Sequence, residues 1–360
     1  MYKIKQLILI LITLPVLLNF AVGKEYEITE NWIPMHDDIQ LAADLYWPSD
    51  YKEGEVYPVL LEYIPYRKDE SRGRNYPLYS YFLDNGYIVA RVDIRGTGRS
   101  EGRVIPNEYS EIELNDGEEV IEWLSAQNWS NGNVGMFGIS WGGFNSIQMA
   151  MRNPPALKAF VAVMATEYLY EEDVHYIDGI MVAGDSWMMS NDLYNSLPGA
   201  PDFTMDEEWY ENRFDVEPSV YKYMRQQRDG PFWDRASAKN KYDLIKIPGY
   251  HIGGWYDGYR NSLPRMIENV SAPVKAMIGP WDHDFPHNAA LKPQVEWRHE
   301  AVRWFDQWLK GVETGILEEP KFAVYIRDYH KPDDSIEYIP GYWRWENEWP
   351  PADLSKQTFY

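Results

Sequence analysis

The segment Gly138-Ile139-Ser140-Trp141-Gly142 constrains this chain more than any other. An apolar, strand-like run, Asn133–Gly138, leads into it, and a helical pattern, Trp141–Arg152, leads out. A serine between glycines at a strand-to-helix crossing is a nucleophile elbow. The glycines allow a tight, strained turn that lifts the serine oxygen above the sheet edge. The same turn brings the Trp141 N–H and the helix N-terminus toward a nascent oxyanion. Gly143 further favours close helix–strand packing. With 25 glycines in the chain the pentapeptide alone is weak, and its strand–turn–helix setting carries the reading.

The surrounding pattern fits such a crossing. Tyr57–Ile64 and Gly86–Val92 read as buried strands, with a short helix, Leu78–Asn85, between them. Asn115–Gln127 carries Val120, Ile121 and Leu124 at helical spacing. Lys158–Met164, Ile247–Ile252 and Val274–Ile278 read as strands, and Ala301–Leu309 as a tryptophan-rich helix. Strands alternating with helices predict an α/β architecture, a mainly parallel sheet with helices on both faces. One interruption, residues 166–242, is acidic and aromatic, holds a helical patch at Val220–Gln227, and shows no convincing strand pair. Trp187, Trp209 and Trp233 argue that it packs, and its place after the nucleophile helix suits a cap over a site. Lys321–Ile326, Ser335–Ile339 and the terminal Gln357-Thr358-Phe359-Tyr360 read as strands, so residues 319–360 are expected to begin a C-terminal β-domain that is cut short.

Composition narrows the function. The 360 residues are 45% hydrophobic and 25% charged, the profile of a packed globular protein. A formal net charge of −22 would repel a phosphate backbone, which argues against a nucleic-acid partner. No cysteine is present, which excludes disulfides, thiol catalysis, cysteine-ligated metals and a lipidated N-terminus. Lys3 and Lys5 precede the apolar stretch Leu7–Phe20, and Ala21-Val22-Gly23 offers small residues at a cleavage site. This stretch falls short of the roughly 20 residues that span a bilayer, so residues 1–23 are expected to be a cleaved signal peptide. Secretion or a periplasmic location follows, without membrane attachment after cleavage.

A serine hydroxyl needs a base, and the base an orienting acid. At an elbow of this kind the order is Ser, then Asp or Glu, then His, each just past a strand. His251 lies inside a predicted strand and His299 at a helix start. His283 stands in Gly279-Pro280-Trp281-Asp282-His283, just after the strand ending at Ile278, with His287 as the rival. Asp257 follows the strand Ile247–Ile252 across Gly253-Gly254-Trp255-Tyr256. Asp282 and Asp284 adjoin the histidine along an extended loop that points side chains apart, and Asp243 precedes its strand. The expected triad is Ser140, Asp257 and His283.

The chain resembles the cocaine-esterase and Xaa-Pro dipeptidyl-peptidase group of serine hydrolases (CocE/NonD type), which includes α-amino-acid ester hydrolases. The resemblance runs from Asp44-Leu45-Tyr46-Trp47-Pro48 to Trp343-Arg344-Trp345. It rests on Pro65-Tyr66-Arg67-Lys68, Asp93-Ile94-Arg95-Gly96, Gly132-Asn133-Val134-Gly135-Met136, the elbow, Gly254-Trp255-Tyr256-Asp257-Gly258 and Gly279-Pro280-Trp281-Asp282-His283. It implies an α/β-hydrolase fold with an inserted helical cap, a C-terminal jelly-roll domain and the same triad. It further implies that Tyr66 donates to the oxyanion beside the Trp141 N–H. The amino-acid ester hydrolases bear acidic residues shortly after the catalytic aspartate, whereas this chain has Gly258-Tyr259-Arg260. That departure favours a carboxylesterase or acylase acting on small esters or amides over a dipeptidyl-peptidase acting on short peptides. A non-catalytic binding module is the reading from another class, and it would be expected to lack a triad member.

The remaining motifs take structural readings. Arg95-Gly96-Thr97-Gly98-Arg99-Ser100 lacks the lysine and spacing of a phosphate loop and reads as a turn. His283 and His287 with Asp282 and Asp284 lack helical pairing for a metal, and Pro286 interrupts them. Neither metal nor cofactor is expected, and a homo-oligomer stays open.

Overall fold

The computed structural model describes residues 26–182, 184–199, 202–355 and 357–358. The expected signal peptide therefore lies outside the described residues. Among the latter, no helix is long and apolar enough to cross a membrane.

The chain opens with an antiparallel pair, β1 (Ile28–Pro34) and β2 (Gln40–Tyr46), which the sequence reading did not separate into strands. Strand β3 (Tyr57–Ile64), helix α1 (Lys68–Asp84) and strand β4 (Ile88–Asp93) follow. Helix α2 (Glu111–Ala126), strand β5 (Ser130–Ile139), helix α3 (Trp141–Arg152) and strand β6 (Leu157–Val163) complete the first half. The interrupting segment forms a short hairpin, β7 (Tyr176–Ile177) and β8 (Ile180–Met181). Helices α4 (Asp185–Asn195), α5 (Glu207–Trp209), α6 (Val220–Arg225) and α7 (Pro231–Asp234) complete it. Trp209 and Trp233 are buried there, as a packed subdomain requires. The hairpin corrects the expectation of no strand pair; with two residues per strand it is too short to show alternation.

The chain returns through β9 (Gly249–Gly254), α8 (Ser262–Asn269), β10 (Val274–Gly279) and α9 (Trp297–Phe305). It ends with β11 (Phe322–Arg327) and β12 (Gly341–Glu346). The main sheet has ten strands in the order β1-β2-β4-β3-β5-β6-β9-β10-β11-β12. From β4 to β11 all neighbours are parallel. This is an α/β fold, and its inner strands are buried along their length, as a sheet covered on both faces demands. The strands of residues 319–360 are hydrogen-bonded to this same sheet, with β11 beside β10 and β12 antiparallel at the edge. Ser335–Ile339 is not a strand: Asp333 turns the chain through hydrogen bonds to Ser335, and Tyr338 makes a single bridge to Lys292. Gln357 and Thr358 lie in no strand, and Phe359 and Tyr360 fall outside the described residues.

Helix α1 begins ten residues earlier than the predicted Leu78–Asn85, because charge rather than an apolar stripe seats its first half. Lys68, wholly buried, donates to Asp44 at 2.9 Å, and Arg72 pairs with Asp44 from the next turn. Arg91 of β4 pairs with Glu62 of β3 at 2.8 Å, and Tyr79 also donates to Glu62. Buried ions are tolerable only when paired in this way. The turn after β4 is closed by Arg95, held by Asp37 and Asp116 at 2.6 Å each. That guanidinium is spent on the fold, in keeping with a turn rather than a phosphate loop.

Asp93, at the end of β4, accepts from the Lys68 N–H at 2.8 Å, while its second oxygen is buried without a hydrogen-bond partner among the described residues. Burial pushes its carboxyl from 3.8 up to about 7. The folded state thus holds this proton more tightly than the unfolded one. The resulting stabilisation is fully present below about pH 4 and is lost as pH rises through about 7. In Asp93→Asn, which keeps an acceptor for Lys68, urea titrations across that window should show a flatter decline of stability with pH than the parent.

Candidate active site

Strand β5 delivers Ser140 into a left-handed conformation, φ 55° and ψ −123°, which strains any residue other than glycine. The Ser140 N–H donates to the Val163 carbonyl at 3.0 Å, and α3 starts at the next residue. Room for this crossing exists only because side chains are missing. A Cβ on Gly138 would lie 2.7 Å from the Gly142 Cα, and one on Gly143 would lie 2.8 Å from the Ala165 Cβ.

Asp257 and His283 arrive from the adjacent parallel strands β9 and β10, whose ends are in register at Gly254 and Gly279. Beyond that point the two loops are laced together. The Trp255 N–H donates to the Gly279 carbonyl at 2.9 Å, and the Tyr256 N–H to the Trp281 carbonyl at 3.0 Å. A Cβ on Gly254 would strike the Trp281 carbonyl oxygen at 2.2 Å, so the loops touch backbone to backbone. His283 Nδ1 lies 2.7 Å from Asp257 Oδ1, and the Tyr259 N–H donates to Oδ2 at 3.2 Å. Asp257 is buried, whereas the His283 side chain is 45% exposed.

Tyr66 follows β3 and packs edge-on against the Trp141 indole, centroids 6.2 Å apart. It lines the same cavity as Ser140, and burial together with the Glu108 charge pushes its pKa upward, so the phenol keeps its proton. Ser140, Tyr66, Trp141, Asp257 and His283 all line one cavity of about 360 Å³. The inserted segment contributes Asp173, Ile177 and Met188 to its wall.

The other sequence candidates lie elsewhere. His251 is buried in β9, edge-on to Phe160, and burial lowers its pKa to about 3. His287 accepts from the Trp297 indole at 2.9 Å, and its pKa falls to about 4, chiefly through burial. His299 sits in the first turn of α9, and Asp284 accepts from the Phe285 N–H.

Three features in and around the cavity escaped sequence reasoning. Tyr259, one residue after the Gly258 that follows the acid, packs its ring 5.7 Å from His283 and edge-on to Phe144. Glu113 of α2 accepts from the Trp141 indole at 2.7 Å, from Asn145 at 3.2 Å and from the Tyr109 N–H at 2.5 Å. Glu108 and Asp173 bring further carboxylates to the wall. Only the regular helical placement of Glu113, on the buried side of α2, carried a sequence signal.

Replacing Ser140 separates strain from chemistry. Ser140→Gly admits the positive φ freely and Ser140→Ala does not, so the glycine variant should melt above the alanine variant, by roughly 1 kcal/mol of stability, in parallel thermal scans.

The profile of the X-Pro dipeptidyl-peptidase (S15) family matches residues 37–284. The chain is 27% identical over 380 residues to a cocaine esterase of Rhodococcus sp. (strain MB1 Bresler), covering 94% of this chain and 63% of that protein. A CocE/NonD family hydrolase from Staphylococcus aureus superimposes with a TM-score of 0.68 at 21% identity, over 90% of this chain and 56% of its own. An aminopeptidase from a marine sediment Thaumarchaeota archaeon gives 0.69 at 19%, over 91% and 59%. At these identities the two structures speak for the α/β-hydrolase fold alone. The chain spans less than two thirds of each of these relatives.

Proposed function

The chain belongs to the X-Pro dipeptidyl-peptidase (S15) family, and from that membership we propose that it is a serine hydrolase cleaving carboxylic esters or amides through an acyl-enzyme. The observation that carries the reading is the Asp257–His283 bond of 2.7 Å in the cavity shared with the strained Ser140. Asp257 engages Nδ1 of the imidazole, which leaves Nε2 to take the Ser140 proton as its oxygen attacks the carbonyl. Asp257 fixes the tautomer and supports the imidazolium that forms. The developing oxyanion is met by the Tyr66 hydroxyl, a neutral donor because burial raises its pKa, and by the Trp141 N–H at the start of α3. His283 then returns its proton to the leaving group. Water activated by the same imidazole releases the acyl chain.

In this scheme Ser140→Ala abolishes labelling by a fluorophosphonate probe, and retained labelling refutes the nucleophile. Tyr66→Phe should lower kcat by roughly 10²–10³ with a smaller change in KM, as loss of one oxyanion donor does. A raised KM with kcat unchanged would assign Tyr66 to ground-state binding instead.

Within this chemistry a carboxylesterase or acylase is our first reading, because Tyr259 and Arg260 stand where an acidic ammonium-binding pair would follow the acid. Arg260 also donates to the Asp257 carbonyl at 3.0 Å. The family match favours a dipeptidyl-peptidase as the second reading. Rates on p-nitrophenyl butyrate and on an Ala-Pro anilide separate them, and a higher kcat/KM on the anilide would reverse the order. The basic and apolar N-terminus supports export with signal cleavage. N-terminal sequencing of the exported protein, expected to begin near Lys24, tests that.

A further inference from the structure

Three buried side chains with ligating atoms meet beside the cavity, two of them, Glu108 and Asp173, in its wall and the third, His175, next to them. Glu108 belongs to the loop before α2, on the body of the fold. Asp173 and His175 belong to the inserted segment just before β7. One atom from each lies within 4.8 Å of the other two. His175 Nε2 is 3.2 Å from Glu108 Oε2, close to the ~3 Å that separates an imidazole nitrogen and a carboxylate oxygen sharing one ion at ~2.1 Å. We propose that Glu108, Asp173 and His175 form a divalent-metal site that ties the inserted segment to the body beside the cavity.

An independent observation favours an ion over a closed ion-pair network. Asp173 is buried; its Oδ1 accepts from the Val174 N–H at 2.8 Å, while its Oδ2 has no hydrogen-bond partner among the described residues. The positive charges acting on Asp173 are His175 and, more weakly, Arg235. Arg235 is itself held by the Tyr109 carbonyl at 2.8 Å. The other carboxylate group of suitable spacing, Glu30, Asp44 and Asp69, differs in this respect. There Lys68 Nζ stands 3.5, 2.9 and 3.1 Å from the three acids, so the chain supplies its own cation.

The donor set selects the metal. One imidazole and two carboxylates suit a borderline first-row ion such as Zn²⁺ or Mn²⁺ better than Ca²⁺, which takes six or more oxygens. An outer shell is in place as well. The His175 ring stacks on Tyr223 at 3.7 Å, and the Tyr223 hydroxyl lies 3.3 Å from Glu108 Oε2 while accepting from the Glu108 N–H at 3.0 Å. Glu108 and Asp173 border the cavity, which gives the ion a route in.

The test uses the full chain, stripped with EDTA, dialysed and titrated with ZnCl2 and, separately, MnCl2. Calorimetry should give a saturable site of one ion per chain for at least one of the two, with a rise in Tm. His175→Gln and Asp173→Asn, each checked by circular dichroism, should lose that site. Tyr223→Phe should keep it with an affinity weaker by roughly 10–100-fold, as removal of an outer-shell partner does. Absence of saturable binding by both ions overturns the proposal, as does binding that survives both ligand variants. A third outcome also overturns it: no metal bound, but Asp173→Asn raising KM for an aminoacyl anilide and not for p-nitrophenyl butyrate. That result would assign the carboxylates to a substrate ammonium.

Discussion

The site depends on a steric vacancy between β5 and α3. Helix and strand cross at Gly138 and Gly142 with no room for a methyl group, and Gly143 has none against Ala165. A chain that turns so sharply must place one residue at positive φ, and that residue is Ser140. The strain of the left-handed serine, about 1–2 kcal/mol, is outweighed by the burial of α3, whose Phe144, Ile147 and Met149 are sequestered in the core. Packing energy is thus spent on aiming a hydroxyl.

The acid and base obey a different rule. Neither β9 nor β10 is strained at its end. Their loops are fixed by hydrogen bonds to one another and by the backbone contact at Gly254. Asp257 and His283 are consequently positioned as a pair, and Ser140 separately. What relates the two carriers is the parallel pairing of β5 with β6 and of β6 with β9.

The legibility of this chain follows the same division. The central strands and α3 could be read because burial on both faces writes them as apolar runs, and β3 falls at the predicted residues. Asp257 and His283 were legible because strand ends are countable. Helix α1 was half hidden, since Lys68, Arg72 and Asp44 hold it by charge and leave no apolar stripe to find. The hairpin at Tyr176–Met181 is too short for any period. Glu108 and Asp173 were invisible for another reason. A buried acid looks like a surface acid in a sequence with 56 of them, and only three-dimensional proximity distinguishes it.

The charge-seated start of α1 bears on the placement of Tyr66, the proposed oxyanion donor. An apolar helix face is placed by the shapes that interlock beneath it. Lys68 is placed by charge instead: its ammonium is matched to Asp44 and its N–H to Asp93, both at fixed points on neighbouring strands. Tyr66 lies two residues upstream, and Arg67 between them is held by Glu70 and the Pro198 carbonyl. The helix therefore behaves as a clamp set at one notch, and the phenol it trails inherits that indexing.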